Sequence, residues 1–92
     1  MKYTVEFTNQ FKKDIKKAEK QGKNVDDLFQ VVGRIANGEP LEQKYSLHKL
    51  SGEYEGCYEC HVEPDWLFIY KIYESTLVLL LTRIGSHSEL FK

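Results

Sequence analysis

The 92-residue chain predicts a single α+β domain in which an N-terminal helical hairpin packs on an antiparallel twisted sheet. Two adjoining segments between residues 8 and 38 carry apolar side chains at helical spacing. From residue 45 to 84 the spacing changes to runs rich in β-branched, aromatic and leucine residues. Gly, Pro, Asn and Ser separate the segments at every boundary. The predicted order is β-α-α-β-β-β(β), over one domain spanning residues 1–92, with no internal repeat, linker or low-complexity stretch.

Tyr3, Val5 and Phe7 alternate with Lys2, Thr4 and Glu6, the period of a short strand with one buried face. Thr8 is placed to cap a first helix whose Phe11, Ile15 and Ala18 form a seam, and Gly22 stands where a left-handed C-terminal residue is wanted. With the seam at 0°, Lys12, Lys13, Lys16, Lys17 and Lys20 fan over about 100° to 240°, which makes one continuous basic face. Asn24 caps a second helix with Leu28, Val31, Val32 and Ile35 inward, ending at Asn37-Gly38 before Pro40. Tyr45 to Leu50, Gly56 to Val62, Trp66 to Tyr73 and Thr76 to Ile84 read as antiparallel strands. Leu77 to Leu81 is apolar on both faces, so that strand is expected at the sheet centre. Gly85 is expected to break it, leaving Ser86 to Lys92 as a tail or single helical turn.

A chain this short buries roughly 60 to 65% of its unfolded surface, so most of its apolar side chains are needed for the core and a large cofactor cavity is not expected. No apolar run exceeds five residues and the N-terminus has no signal core, which points to a cytoplasmic protein with no membrane association. Two cysteines make no disulfide framework and are expected as thiols. The net charge of −1 hides an asymmetry: residues 1–25 carry seven lysines against three acids, whereas residues 26–92 carry six basic and eleven acidic side chains. One surface is therefore basic enough to meet a polyanion, although a lysine-rich helix also serves as a plain solvated face.

His48, His61 and His87 each fall at or near a strand end, where side chains converge on a cleft without displacing the core. Such a set suits metal-free RNA cleavage, because RNA carries its own 2'-hydroxyl nucleophile. That reaction needs a base, an acid and positive charge on a crowded phosphorane-like transition state. Imidazole supplies the first two near neutrality and Arg83 the third, while a carboxylate such as Asp65 can orient an imidazole. Trp66, Phe91 and Tyr58 are candidates for stacking on unpaired bases. Trp66 serves equally as a core residue under the helices.

Other patterns compete. Cys57-Tyr58-Glu59-Cys60-His61 matches the C-x-x-C-H haem attachment pattern, but in a strand an offset of three sends the two sulfurs to opposite faces. Zinc lacks a second Cys/His pair at ligand spacing. Cys57 and Cys60 are read as small core residues, and neither a metal nor a cofactor is expected.

Leu47-His48-Lys49-Leu50-Ser51-Gly52, Cys60 to Tyr70 and Leu81 to Phe91 together resemble the YafQ branch of the RelE/ParE toxin superfamily, with H-V-E-P-D-W and R-x-G-[ST]-H-x-x-L-F the specific pair of motifs. The resemblance covers the chain in element order and is strongest from 47 to 91. It implies a RelE-like fold and a ribosome-dependent, metal-independent mRNA endonuclease of a type II toxin-antitoxin system. Its catalytic positions would be His48, His61, Asp65, Arg83 and His87, with Phe91 aiding mRNA placement. On that basis His87 is the candidate acid, His48 the base, Asp65 and His61 an orienting or charge-stabilising pair, and Arg83 the phosphate clamp. Lys13 and Lys17 would dock against ribosomal RNA. The implied partners are the ribosome, mRNA and a DinJ-type antitoxin bound in a heterotetramer. Tyr58 stands where relatives often carry Arg in a G-x-R-[DE]-x-H pattern. A non-catalytic ParE-type gyrase poison on the same scaffold is the alternative.

Overall fold

The computed structural model describes residues 1–91. In chain order it holds β1 (Thr4–Phe7), α1 (Asn9–Lys20), α2 (Val25–Ala36), a 3-10 turn (Gln43–Tyr45), β2 (His48–Lys49), a second 3-10 turn (Gly52–Tyr54), β3 (Tyr58–Glu63), β4 (Trp66–Tyr73), β5 (Val78–Gly85) and α3 (His87–Leu90). Both long helices start where their caps predict. Thr8 Oγ1 accepts the Phe11 N–H at 2.9 Å, and Asn24 Oδ1 accepts the Asp27 N–H at 3.3 Å. Gly22 follows α1 at φ 77°, a left-handed conformation that a Cβ would disfavour.

The sheet order is β1-β5-β4-β3-β2. The four later strands pair antiparallel as expected, but β1 lies parallel to β5, with Thr4 opposite Val78 and Phe7 opposite Leu81. Alternation within β1 marks its buried face and carries no information on partner direction. That direction is set by the helical hairpin, which returns the chain to the side from which it left. β4 occupies the middle and β5 lies beside it, because Trp66 to Tyr70, rather than Leu77 to Leu81, is the run buried on both faces. Leu77 sits in the preceding turn at φ 53° and is exposed, so β5 starts one residue later.

Two apolar layers result. Phe11, Leu28, Val31, Ile35, Trp66, Phe68, Leu79 and Leu81 fill the space between sheet and helices. On the opposite face Cys57, Leu67, Ile69 and Leu90 form a smaller cluster under the second 3-10 turn and α3. Truncating Leu67 or Ile69 to Ala should cost about 2–5 kcal/mol. Cys60 lies in the first layer and Cys57 in the second, so the two thiols occupy opposite faces of the sheet. Gly85 closes β5 rather than breaking it. Ser86 then caps α3 in a reciprocal capping box with Glu89. The expected turn over 86–92 is this helix, and Lys92 lies outside the described residues.

Candidate active site

The outer sheet face gathers the three imidazoles. β2 pairs with β3 so that His48 stands opposite Glu59, and His61 lies two residues further along β3 on the same face. α3 begins with His87 immediately beyond β5. Ring centroids are 6.2 Å apart for His48 and His61 and 5.8 Å for His61 and His87.

Hydrogen bonds orient the two outer rings, His48 and His87. His48 Nδ1 lies 3.0 Å from the Ser46 carbonyl, a bond in which the nitrogen donates, so Nδ1 carries the proton of the neutral ring. His48 Nε2 reaches Glu59 Oε1 at 3.0 Å, and His61 Nε2 reaches the same oxygen at 3.4 Å. Glu59 is only 3% exposed, and a buried carboxylate needs such partners. Asp65 Oδ1 accepts both the backbone N–H of His87 at 3.0 Å and its Nδ1–H at 2.9 Å. These bonds leave His87 Nε2 free. They hold the Asp65 carboxyl below its usual range, the backbone N–H contributing most and the ring next. Phe91 lies 6.3 Å from the His87 ring and is substantially exposed, which keeps a face available to a base.

Arg83 occupies a different part of the site. Its Nε donates to Asp14 Oδ2 at 2.8 Å and its Nη2 to Asp14 Oδ1 at 3.1 Å. Asp14, 8% exposed on the inward side of α1, also accepts the Ile84 N–H at 3.1 Å and Gln10 Nε2 at 3.1 Å. The pairing with Asp14 raises the guanidinium above its already high range. Arg83 Nη1 donates to the Tyr54 hydroxyl at 3.4 Å, and the Tyr54 ring meets Phe91 edge-on at 5.7 Å. The guanidinium thus joins the imidazoles through Tyr54 and Phe91, with no direct contact to a histidine among the described residues. Lys13, Lys17 and Arg83 share a hollow of about 210 Å³ between α1 and the β5–α3 corner. Lys17 pairs with Glu89, which pulls that carboxyl down to about 2, Lys17 first and the Ser86 N–H next.

Trp66 takes the core role. At 2% exposure beneath the helices, its ring has no free face for an unpaired base. Tyr58 stacks on Tyr70 at 5.7 Å inside the fold and likewise leaves the site. Sequence reasoning missed Glu59, Asp14 and Tyr54. Glu59 was detectable, since E-x-H within a strand puts both side chains on one face. Asp14 was also detectable, since a carboxylate three residues after Phe11 and four before Ala18 falls on the buried stripe of α1, although its partner Arg83 could not be read from that spacing. Among the described residues no group of three or more His, Cys, Asp and Glu side chains is arranged to hold a metal ion.

A five-stranded sheet under a helical hairpin, with imidazoles collected at its outer face, defines the chain as a small RelE-like α+β toxin. Residues 3–92 match the family described as "Bacterial toxin of type II toxin-antitoxin system, YafQ", and the chain belongs to that family. It is 36% identical over 88 residues to the mRNA interferase toxin YafQ of Escherichia coli K12, covering 95% of this chain and 94% of the relative. The crystal structure of YafQ from E. coli BL21(DE3) superposes with a TM-score of 0.91 at 34% identity, covering 98% of this chain and 99% of that one. The E. coli DinJ-YafQ toxin-antitoxin complex superposes at 0.89 with 34% identity and full coverage of both chains. A metal-bound toxin from Helicobacter pylori gives 0.91 at 43% identity, with 97% and 99% coverage.

Proposed function

We propose that this chain, an endoribonuclease of the mRNA interferase kind, cuts mRNA presented in the ribosomal A site by acid-base catalysis at the imidazole cluster. The observation that carries the proposal is the unbroken sequence of rings His48, His61 and His87, bracketed by Glu59 and Asp65. The 2'-oxygen attacks the adjacent phosphorus as its proton passes to His48 Nε2, which accepts it with the ring neutral and turned off the Glu59 carboxylate; the imidazolium so formed then pairs with that carboxylate. The bond to the 5'-oxygen breaks, and His87 Nε2 protonates that leaving group. The products are a 2',3'-cyclic phosphate and a 5'-hydroxyl, and no metal enters because both proton transfers and the nucleophile are accounted for.

Asp65 keeps His87 in the orientation that exposes Nε2, and the central His61 adds positive charge beside the phosphate when protonated. Arg83 contributes through Nη1 at the edge of the site while Asp14 fixes its plane. Phe91 offers a stacking face. Lys13 and Lys17 belong to a basic surface suited to ribosomal RNA, where each phosphate neutralised releases a counterion. The antitoxin is of the DinJ kind, as in the E. coli complex. By this reading the two proteins assemble as a heterotetramer, and the toxin acts in the cytoplasm where translating ribosomes are.

Primer extension on a defined mRNA, incubated with the purified toxin with and without ribosomes, tests this reading. Discrete breaks that require ribosomes and vanish in His87→Ala are expected. An intact transcript in the presence of the wild-type toxin overturns it.

A further inference from the structure

A cavity of about 480 Å³ opens beside the imidazole cluster, between the first turns of α2 and the segment that joins the 3-10 turn to β2. Asp27, Gln30, Lys44, Tyr45, Ser46 and His61 are among its lining residues. Its volume lies within the range of about 300 to 1,000 Å³ typical of small-ligand sites. His61 belongs to both this cavity and the ring cluster. Asp27 and Gln30 are one helical turn apart on α2, so they share a face, and neither side chain is hydrogen-bonded among the described residues. Tyr45 adds a half-buried ring, with Lys44 Nζ 5.2 Å from its centroid. A planar aromatic wall, a pair of hydrogen-bonding side chains and a cation together match the needs of an unpaired nucleobase with its phosphate.

We infer that this cavity is a base-reading subsite for the nucleotide that flanks the cut. The inference rests on the endonuclease reading above and adds the specificity element to it. Tyr45 supplies the stacking surface once Lys44 Nζ moves from over its ring to the attached phosphate, and Asp27 and Gln30 read the Watson–Crick or Hoogsteen edge. The Asp27 carboxylate only accepts, so it favours a base that presents an exocyclic amine over uracil, which presents carbonyl oxygens at the corresponding positions, while the Gln30 amide turns to donate or accept beside it. Lys44 lies at the rim for the attached phosphate.

One residue of the cavity wall, Ser46, also orients the proposed base, His48. Ser46 ends the 3-10 turn in the left-handed region at φ 48°, a conformation a serine adopts only under tertiary constraint, and its carbonyl fixes His48 Nδ1 at 3.0 Å. A base seated on Tyr45 therefore stabilises the same turn that orients His48. Correct occupancy should raise kcat as well as lower KM, since it acts on the position of a reacting group.

Two measurements test the inference. In the first, ribosomes carry mRNAs that differ only in having cytosine or uracil beside the cut, and kcat/KM is compared for wild type and Asp27→Ala/Gln30→Ala. Both residues are exposed, so folding is not at stake. Wild type should favour cytosine, and the double variant should lose most of a preference of roughly 5- to 150-fold. Equal preference in the two proteins overturns the subsite. In the second, the free toxin is titrated with a tetranucleotide carrying a 2'-deoxy residue at the cut position, followed by amide chemical shifts. Shifts at residues 27–30 and 44–46 that disappear in Tyr45→Leu support the subsite whether or not the wild type cleaves, whereas their absence overturns it. Binding here by a protein that never cuts RNA would refute the endonuclease reading and leave the base site standing.

Discussion

Replacing Asp14 with alanine removes the acceptor for four hydrogen bonds at once: two from Arg83, one from the Ile84 N–H and one from Gln10. Breaking a buried ion pair by deleting one partner costs about 3–5 kcal/mol, because the surviving charge is left without compensation. The Arg83 side chain retains 23% exposure, so water recovers part of that cost, and about 2–4 kcal/mol is expected. At roughly 4–8 °C per kcal/mol for a domain of this size, the melting midpoint should fall by about 8–32 °C. Thermal and urea unfolding of wild type, Asp14→Ala, Arg83→Met and the double variant form a closed cycle. If the penalty comes from a stranded guanidinium, the double variant is more stable than Asp14→Ala alone. A midpoint within about 3 °C of wild type for Asp14→Ala, or a double variant no better than that single, refutes the assignment of Arg83 to this pair.

Other consequences are directly measurable. His87→Ala should lower cleavage by about 10²- to 10⁴-fold and relieve growth arrest on induction, with a midpoint close to wild type because the side chain is exposed. Lys13→Glu/Lys17→Glu should reduce ribosome cosedimentation and flatten its salt dependence, and unaltered cosedimentation would remove α1 from the docking surface. Glu89 titrates at about 2 in the folded chain against 4.5 for an ordinary glutamate, so its stabilisation is present above pH 4.5 and lost as pH falls towards 2. The midpoint of wild type should therefore drop more steeply across that interval than that of Glu89→Gln. Burial raises the Cys60 thiol to about 12, so maleimide labelling at neutral pH should be slow until the protein is unfolded.

Much of the fold was legible because local rules and tertiary packing agree. Thr8, Asn24 and Gly22 set the helix ends, and the Leu28–Val31–Val32–Ile35 face is buried as its period requires. Agreement ended where long-range geometry decided. Tyr45 reads as a strand residue, yet it ends a 3-10 turn, and the left-handed Ser46 confines β2 to two residues. The parallel β1–β5 edge depends on a pairing across some 74 residues, which no window of sequence encodes. At the site, strand-end placement of the histidines carried real information, whereas the Glu59 bridge depends on register and the Asp14–Arg83 pair on how α1 crosses β5. Trp66 shows the limit from the other side. A motif position beside Asp65 does not show which way a ring points, and the buried middle strand decides it.

The most direct test of proton donation by His87 is single-turnover cleavage of two ribosome-bound mRNAs, one ordinary and one with sulfur in place of the bridging 5'-oxygen. A thiolate leaves without protonation, so the large defect of His87→Ala on the ordinary substrate should nearly disappear on the sulfur-containing one. An equal defect on both would show that His87 supplies something other than the proton, and the acid-base account of the cluster would fail.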